Sequence, residues 1–146
     1  CEQMLRHFKG SFETFNIRYG NVIGSTGSVF EIWDKENKDG NDIEVRDPEM
    51  TRFFWHIDQA TEYVCENVLD YTNVNHKDIL IPDMESLNIY DMACYMYGKE
   101  KVKVSNQITH NEKIHEELYP GGESKDFVVK PKNHKGLNQW MKENGF

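Results

Sequence analysis

The sequence lacks a long hydrophobic run. A helix that crosses a bilayer needs about 18 or more consecutive apolar residues, and no stretch of the 146-residue chain reaches that length. We therefore expect no membrane span and no membrane partner.

Cysteine is also scarce. The three cysteines, Cys1, Cys65 and Cys94, are odd in number and far apart, which excludes a disulfide framework and a zinc ribbon. Reduced thiols of this kind fit a cytoplasmic protein. His56 and His115 each lack a second histidine or a cysteine at metal-binding spacing, so we expect no metal site.

Positive charge is the third shortage. Acidic residues number 25 against 17 basic ones, which gives a formal net charge of −8. This balance excludes the basic footprint of a nucleic-acid binding protein. The tryptophans are then expected to fill the core rather than to stack on bases: Trp33, Trp55 and Trp140.

What the sequence does contain is an alternation of strand and helix patterns, typical of an α/β protein. After a strand that begins near residue 15, strands are predicted at 43–46, 51–57, 78–82, 101–105 and 126–130. Helices are predicted at 2–9, 29–38, 58–70, 88–97, 115–118 and 137–144. The apolar spacing predicts a buried stripe of Val29, Ile32 and Trp33 on one helix, and of Ala60, Tyr63, Val64 and Val68 on the next.

Residues 15–29, FNIRYGNVIGSTGSV, are the stretch around which we expect a site to form. Ile17 and Tyr19 alternate with polar residues, which predicts a strand, and a glycine-rich polar loop follows. Glycine lets backbone N–H groups approach an anion. A helix that starts near Ser28 would aim its first amides at the same place. The pattern predicts a phosphate-sized site, with an ordinary turn as the alternative.

Arg52 is the strongest single candidate for a binding residue. It lies in an otherwise apolar and aromatic strand, TRFFWHI, where a cation needs a partner. Its planar guanidinium can engage two phosphate oxygens at once. The alternative is a surface ion pair with Asp47 or Glu49, worth at most ~1 kcal/mol.

Asn21 and Glu112 are two further polar candidates. The carboxamide of Asn21 directly follows the strand and can donate to a sugar hydroxyl or a phosphate oxygen, or it is an ordinary turn residue. The carboxylate of Glu112 can accept hydrogen bonds from two ribose hydroxyls, or it is a solvated charge in a charge-rich stretch.

Four blocks of the sequence resemble one family. RYGNVIGSTGSV, RDPEMTRFF, DILIPDMESLNIYDMA and NEKIHEEL, in that order, resemble the C-terminal part of UDP-N-acetylglucosamine 4,6-dehydratases. These are polysaccharide-biosynthesis enzymes of the extended short-chain dehydrogenase/reductase class. The resemblance implies the last strand of a Rossmann-type dinucleotide-binding domain in residues 1–28, a small α/β substrate-binding domain in residues 29–125 and a C-terminal tail in residues 126–146.

The resemblance also implies roles for particular residues. Those that would bind the UDP-sugar are Asn21, Ser28, Val29, Arg52 and Glu112. Among them, Arg52 resembles a pyrophosphate ligand. Those that would lie beside the nicotinamide of the cofactor are Tyr19, Gly20 and Val22.

Thr109 is a departure from the family pattern. The family block usually has an arginine three residues before the glutamate that corresponds to Glu112, and this chain has Thr109 there. A threonine keeps a hydroxyl but cannot hold a phosphate as a cation. The departure therefore affects either how tightly the substrate is bound or which substrate is bound.

The activity that the resemblance implies belongs to a longer enzyme. In the family, the glycine-rich cofactor motif, a catalytic Asp–Lys pair and a Tyr–Lys pair precede the point where this sequence begins. We therefore expect no catalytic residue in this chain, which alone should be inactive. The parent would be an NADP-dependent (or NAD-dependent) lyase and a homo-oligomer that dehydrates UDP-N-acetylglucosamine to a 4-keto-6-deoxy sugar. A UDP-sugar 4-epimerase of the same superfamily and a non-catalytic interaction domain stay open as alternatives.

Overall fold

The computed structural model describes residues 2–7, 14, 16–23, 25–69, 79–110, 112–128 and 141–143. Within these ranges the helices are α1 (Glu2–Arg6), α2 (Val29–Lys38), α3 (Ile57–Leu69) and α4 (Ile89–Tyr97), and residues 141–143 are also helical. The strands are β1 (Asn16–Ile17), β2 (Asn21–Ile23), β3 (Ile43–Val45), β4 (Thr51–His56), β5 (Ile79–Leu80), β6 (Ser86–Asn88), β7 (Val102–Val104), β8 (Glu117–Tyr119) and β9 (Gly122–Glu123).

Strand β4 is the centre of the main sheet, in which the strand order is β2–β4–β6. β2 is parallel to β4, with Asn21 opposite Phe54, and β6 is antiparallel to it, with Thr51 opposite Asn88. Two further parallel pairs join β1 to β5 and β3 to β7, and β8 with β9 forms an antiparallel pair. Parallel strands require crossover connections, which the helices supply here. The predicted α/β fold is confirmed.

The core forms around β4 because this strand is covered on both faces. On one face the ring of Phe54 lies 5.7 Å from that of Phe30 in α2, and on the other the ring of Phe53 lies 5.7 Å from that of Phe127. A strand covered on both sides has consecutive buried residues instead of alternating ones. Burying each such side chain stabilises the fold by about 1.5–3 kcal/mol.

Helix α4 ends at the residue that the sequence predicts and begins one residue later than predicted, at Ile89. The side chain of Asn88 caps it by accepting the backbone N–H of Asp91 at 2.9 Å. Gly98 ends it with φ of 86°, a backbone conformation that residues with a Cβ rarely adopt. Met92 and Ala93 of this helix are fully buried.

Several short elements differ from the prediction. Residues 21–23 form β2 instead of a loop, because they pair with β4. The helix predicted at 115–118 is replaced by β8, which pairs with β9. In the strand predicted at 126–130, Asp126 ends a 3-10 turn and Val128 makes an isolated bridge to Ser86. Trp140 and the predicted positions 8–9, 15, 70, 78, 129–130, 137–140 and 144 lie outside the described residues.

The buried stripes of two helices are also only partly as predicted. On α2, Trp33 is buried as expected, but Ile32 is 55% exposed and Phe30 is buried instead. On α3, Ala60 is buried, whereas Val68 is 49% exposed. Spacing alone could not decide between positions 30 and 32, because both lie near the edge of the same apolar face.

Candidate functional site

A cavity of about 310 Å³ lies between β2, the start of α2 and β4. Its size is at the lower end of the range typical of small-molecule sites. All five residues predicted to bind substrate line it: Asn21, Ser28, Val29, Arg52 and Glu112. The remaining lining residues are Val22, Ser25, Gly27, Phe30, Met50, Phe54 and Ile89. The structure therefore brings together polar residues from four separate segments over an apolar floor.

Helix α2 begins at the edge of this cavity. Ser28 is the N-cap, as predicted, but its side chain makes no capping hydrogen bond. The backbone N–H of Gly27 donates to Glu31 Oε2 at 2.7 Å, so a carboxylate of the first turn already uses one donor of the loop. An incoming anion would share this helix start with Glu31.

Arg52 is held by the surrounding chain. Its Nη1 donates to the backbone oxygens of Thr51 at 2.8 Å and Ile114 at 3.0 Å. Its Nη2 lies 3.8 Å from Glu112 Oε1 and its Nε 3.7 Å from Glu116 Oε1, and its side chain is 14% exposed. These two ion pairs take the place of the predicted alternative partners Asp47 and Glu49. The partly buried cation is thus positioned by carbonyls and flanked by two carboxylates.

Glu112 joins two arginines. Its Oε2 accepts hydrogen bonds from Arg46 Nη1 and, at 3.3 Å, from Thr109 Oγ1, while its Oε1 faces Arg52. Burial raises the pKa of this carboxyl, but the hydrogen bond and charge of Arg46, the Thr109 hydroxyl and the charge of Arg52 together hold its pKa below the ordinary value. Glu112 is therefore a fixed carboxylate rather than a solvated surface charge.

Asn21 is fixed by Glu116 and by strand β4. Its Nδ2 donates to the backbone oxygen of Phe53 at 3.1 Å and lies 3.3 Å from both carboxylate oxygens of Glu116. Glu116 also accepts the backbone N–H of Phe53 at 3.0 Å. The Nδ2 donors of the carboxamide are therefore engaged within the chain, at a residue that lines the cavity.

The residues predicted to lie beside nicotinamide are dispersed. Val22 lines the cavity, whereas the ring of Tyr19 lies 5.9 Å from that of Trp55 and the tyrosine is 44% exposed. A Cβ on Gly20 would lie 2.5 Å from the Cβ of Phe53 and 2.6 Å from its oxygen. Close packing against β4 therefore accounts for this glycine, and the predicted contact of all three residues with a cofactor stays a prediction.

Arg46 and Glu116 are site residues that the sequence did not single out. Glu116 stands beside Glu117 in NEKIHEEL, and only the fold distinguishes the partner of Arg52 from its exposed neighbour. Arg46 immediately precedes the Asp-Pro that follows β3. Arg46 is the first residue of the block RDPEMTRFF, and this place was the available signal for it.

The model of the family described as polysaccharide biosynthesis protein matches residues 2–137. The chain belongs to this family. The resemblance identified from the four sequence blocks is thereby confirmed.

Relatives from this family are longer than the chain. It is 33% identical over 127 residues to the probable polysaccharide biosynthesis protein EpsC of Bacillus subtilis. This match covers 82% of the chain and 21% of EpsC. It is 31% identical over 108 residues to the inverting UDP-N-acetylglucosamine 4,6-dehydratase of Campylobacter jejuni. This match covers 73% of the chain and 31% of that protein. The X-ray structure of Pen from Bacillus thuringiensis superposes with a TM-score of 0.64 at 29% identity, covering 80% of the chain and 39% of Pen. The chain thus spans between a fifth and two fifths of these proteins.

The part of the chain that is described contains neither a membrane-spanning helix nor a cluster of metal ligands. None of its helices is long and apolar enough to cross a membrane. In the same residues, no group of three or more histidine, cysteine, aspartate or glutamate side chains is placed to hold a metal ion.

Proposed function

We propose that this chain is the nucleotide-sugar binding part of an NADP-dependent UDP-N-acetylglucosamine 4,6-dehydratase of polysaccharide biosynthesis. The observation that supports it most is the cavity shared by the five residues that resemble the family's UDP-sugar ligands. The name of the Campylobacter relative supports the choice of substrate. The proposal includes a cytoplasmic, homo-oligomeric parent enzyme, with the cofactor-domain remnant in residues 1–28, the substrate domain in 29–125 and the tail in 126–146.

The diphosphate of the ligand is assigned to the space between Arg52 and the start of α2. The separations of Arg52 from Glu112 and Glu116, 3.8 and 3.7 Å, are longer than hydrogen bonds. Its Nη2 and Nε therefore have N–H groups left for phosphate oxygens while Nη1 keeps its two carbonyl contacts. The amides at the start of α2 add a favourable dipole for negative charge.

The sugar and the nucleoside are assigned to the two ends of the cavity. Glu112 has the acceptor oxygens that ribose hydroxyls need, and Asn21 presents a fixed carboxamide to the sugar side. NADP would lie beside Tyr19, Gly20 and Val22 and would supply hydride transfer to and from the sugar during the loss of water. This chain's contribution is to hold the nucleotide so that the reacting carbons stay in place, which is how binding energy at remote groups assists a reaction.

A thermal-shift titration of the chain with UDP tests the proposal. At a UDP concentration 100-fold above Kd, binding stabilises the folded state by about 2.7 kcal/mol, so the melting temperature should rise with UDP. GDP serves as the control, because its larger purine should fit the same cavity poorly. An unchanged melting temperature at millimolar UDP would reject the proposal.

Binding of UDP does not by itself separate a dehydratase from a UDP-sugar 4-epimerase. The product of the parent enzyme does so, because a dehydratase loses one water and leaves a 4-keto-6-deoxy sugar, whereas an epimerase leaves the mass unchanged. Mass spectrometry of UDP-N-acetylglucosamine after incubation measures this difference.

A further inference from the structure

Arg46 lies directly after β3 and lines a second cavity, of about 330 Å³. This cavity shares Val29, Met50, Ile89 and Glu112 with the first one. The two cavities therefore adjoin, and Val29 at the start of α2 lines both of them. Arg46 Nη1 donates to Oε2 of Glu112, and Arg52 Nη2 lies 3.8 Å from Oε1 of the same carboxylate.

The charges around Arg52 are unfavourable for an anion unless Arg46 is included. Arg52 carries one positive charge and faces two carboxylates, Glu112 and Glu116. A diphosphate placed beside these three side chains alone would meet a group with an excess of negative charge, and like charges repel. Arg46 supplies the cation that balances the second carboxylate.

Arg46 also has donors to offer. The hydrogen bonds described for its side chain, to Glu112 and at 3.5 Å to Thr109, both come from Nη1. A guanidinium has five N–H donors on three nitrogens, so its other two nitrogens have donors for phosphate oxygens. The side chain is 45% exposed, against 14% for Arg52, so a ligand can reach it more easily.

We propose that Arg46 is a second diphosphate-binding residue, placed beside Thr109 and acting across Glu112 from Arg52. This inference rests on the function proposed above and adds a residue to its site. Arg46 Nη1 donates to the Thr109 hydroxyl at 3.5 Å, so the two residues are in contact beside Glu112.

Calorimetric titration of Arg46→Gln with UDP and with uridine tests this role. Loss of one charge-assisted contact to phosphate should raise the Kd for UDP about 10- to 100-fold, and the Kd for uridine should not change because uridine has no phosphate. Arg46→Lys should recover part of the UDP affinity, since it keeps the charge but not the planar fork.

Two lysine variants are the matched controls. Lys103→Gln removes the same charge from an exposed position of β7 that lines neither cavity, and Lys113→Gln removes it from a third cavity, which Arg52 and Glu112 also line. Both should keep the wild-type Kd for UDP. If Lys113→Gln weakens UDP binding as much as Arg46→Gln does, the second cation is Lys113 and the inference is wrong.

A rescue variant gives an independent readout. In Arg46→Gln combined with Thr109→Arg, a guanidinium reaches Glu112 from the neighbouring position, and the UDP affinity should return toward the wild-type value. Failure of this rescue, with the fold intact by circular dichroism, counts against a phosphate role for the cation at this place.

The outcomes separate the two proposals. If the wild-type chain does not bind UDP, the proposed function fails and this inference fails with it. If UDP binds and Arg46→Gln leaves its Kd unchanged, only the inference fails. If Arg46→Gln weakens UDP and uridine equally, Arg46 merely positions Glu112 and the inference is again wrong.

Discussion

At the scale of single residues, Arg52 shows why a buried cation is informative. A guanidinium that is mostly removed from water must be satisfied on all sides, and here two carbonyls and two carboxylates surround it. The carbonyls fix its position, while the carboxylates lie beyond hydrogen-bond distance. A cation arranged in this way is stable without ligand and still has donors for one.

We expect Arg52→Ala to weaken UDP binding by about 1.5–3 kcal/mol, the range for hydrogen bonds to charged groups. Isothermal calorimetry at constant salt measures the change, and Lys103→Gln controls for the loss of one positive charge. Because the substitution also takes a cationic partner away from Glu112 and Glu116, the unfolding temperature without ligand should be recorded alongside. Unchanged UDP affinity in a folded Arg52→Ala variant would remove this residue from the site.

Five residues that line the cavity were predicted from the sequence, but their partners were not. Arg52 stood out because a cation is rare in a strand of aromatic residues. Glu116 could not be recognised in the same way, because its role depends on β4 passing beside it and exposing the backbone N–H of Phe53. Contacts between segments far apart in sequence leave no periodic signal in either segment.

At the scale of secondary-structure elements, the contact between Gly20 and β4 is unusually close. A Cβ at position 20 would meet two atoms of Phe53 at 2.5 and 2.6 Å, and one of them is a backbone oxygen. The backbone oxygen belongs to the central strand of the sheet, so it cannot move aside as a flexible side chain could. Packing of the chain before β2 against β4 therefore depends on glycine.

Gly20→Ala should destabilise the chain by about 1–3 kcal/mol, the usual cost of overpacking. Chemical denaturation measures the free energy of unfolding, and the exposed Thr26→Ala in the following loop is the control. Stability equal to that of the wild type would show that β2 and β4 are not packed as closely as described. A loss of UDP affinity larger than the loss of stability would instead indicate a direct role for Gly20 in binding.

Elements with local signals were predictable, and those that depend on pairing were not. Helix α4 carries its own cap at Asn88 and its own end at Gly98, so its bounds could be predicted from neighbouring residues alone. Strands β2, β6 and β8 have only three residues each. Such short strands exist because a neighbouring strand completes their hydrogen bonds, and a sequence pattern of three residues cannot show this.

At the scale of the whole molecule, Glu112 connects parts of the chain that are distant in sequence. Its carboxylate joins the segment before β8 to Arg46 at the end of β3 and to Arg52 in β4. Thr51 strengthens the same connection, since its hydroxyl lies 2.6 Å from that of buried Ser124 and 2.8 Å from His115 Nδ1. The site is therefore also a place where the C-terminal segments are attached to the sheet.

This connection should make stability depend on pH in acid. The pKa of Glu112 is below its ordinary value in the folded chain, so its contribution is fully present above the ordinary value of about 4.3. That contribution is lost as the pH falls through the lowered pKa, because the unfolded chain takes up the proton first. The free energy of unfolding of Glu112→Gln should therefore lie below that of the wild type near neutral pH, and the two should converge as the pH is lowered from about 4.3.

Urea denaturation across this range measures the difference, with Glu62→Gln at an exposed position of α3 as the control for one lost negative charge. A difference that stays constant down to acid pH would show that the carboxylate of Glu112 is not held by the two arginines.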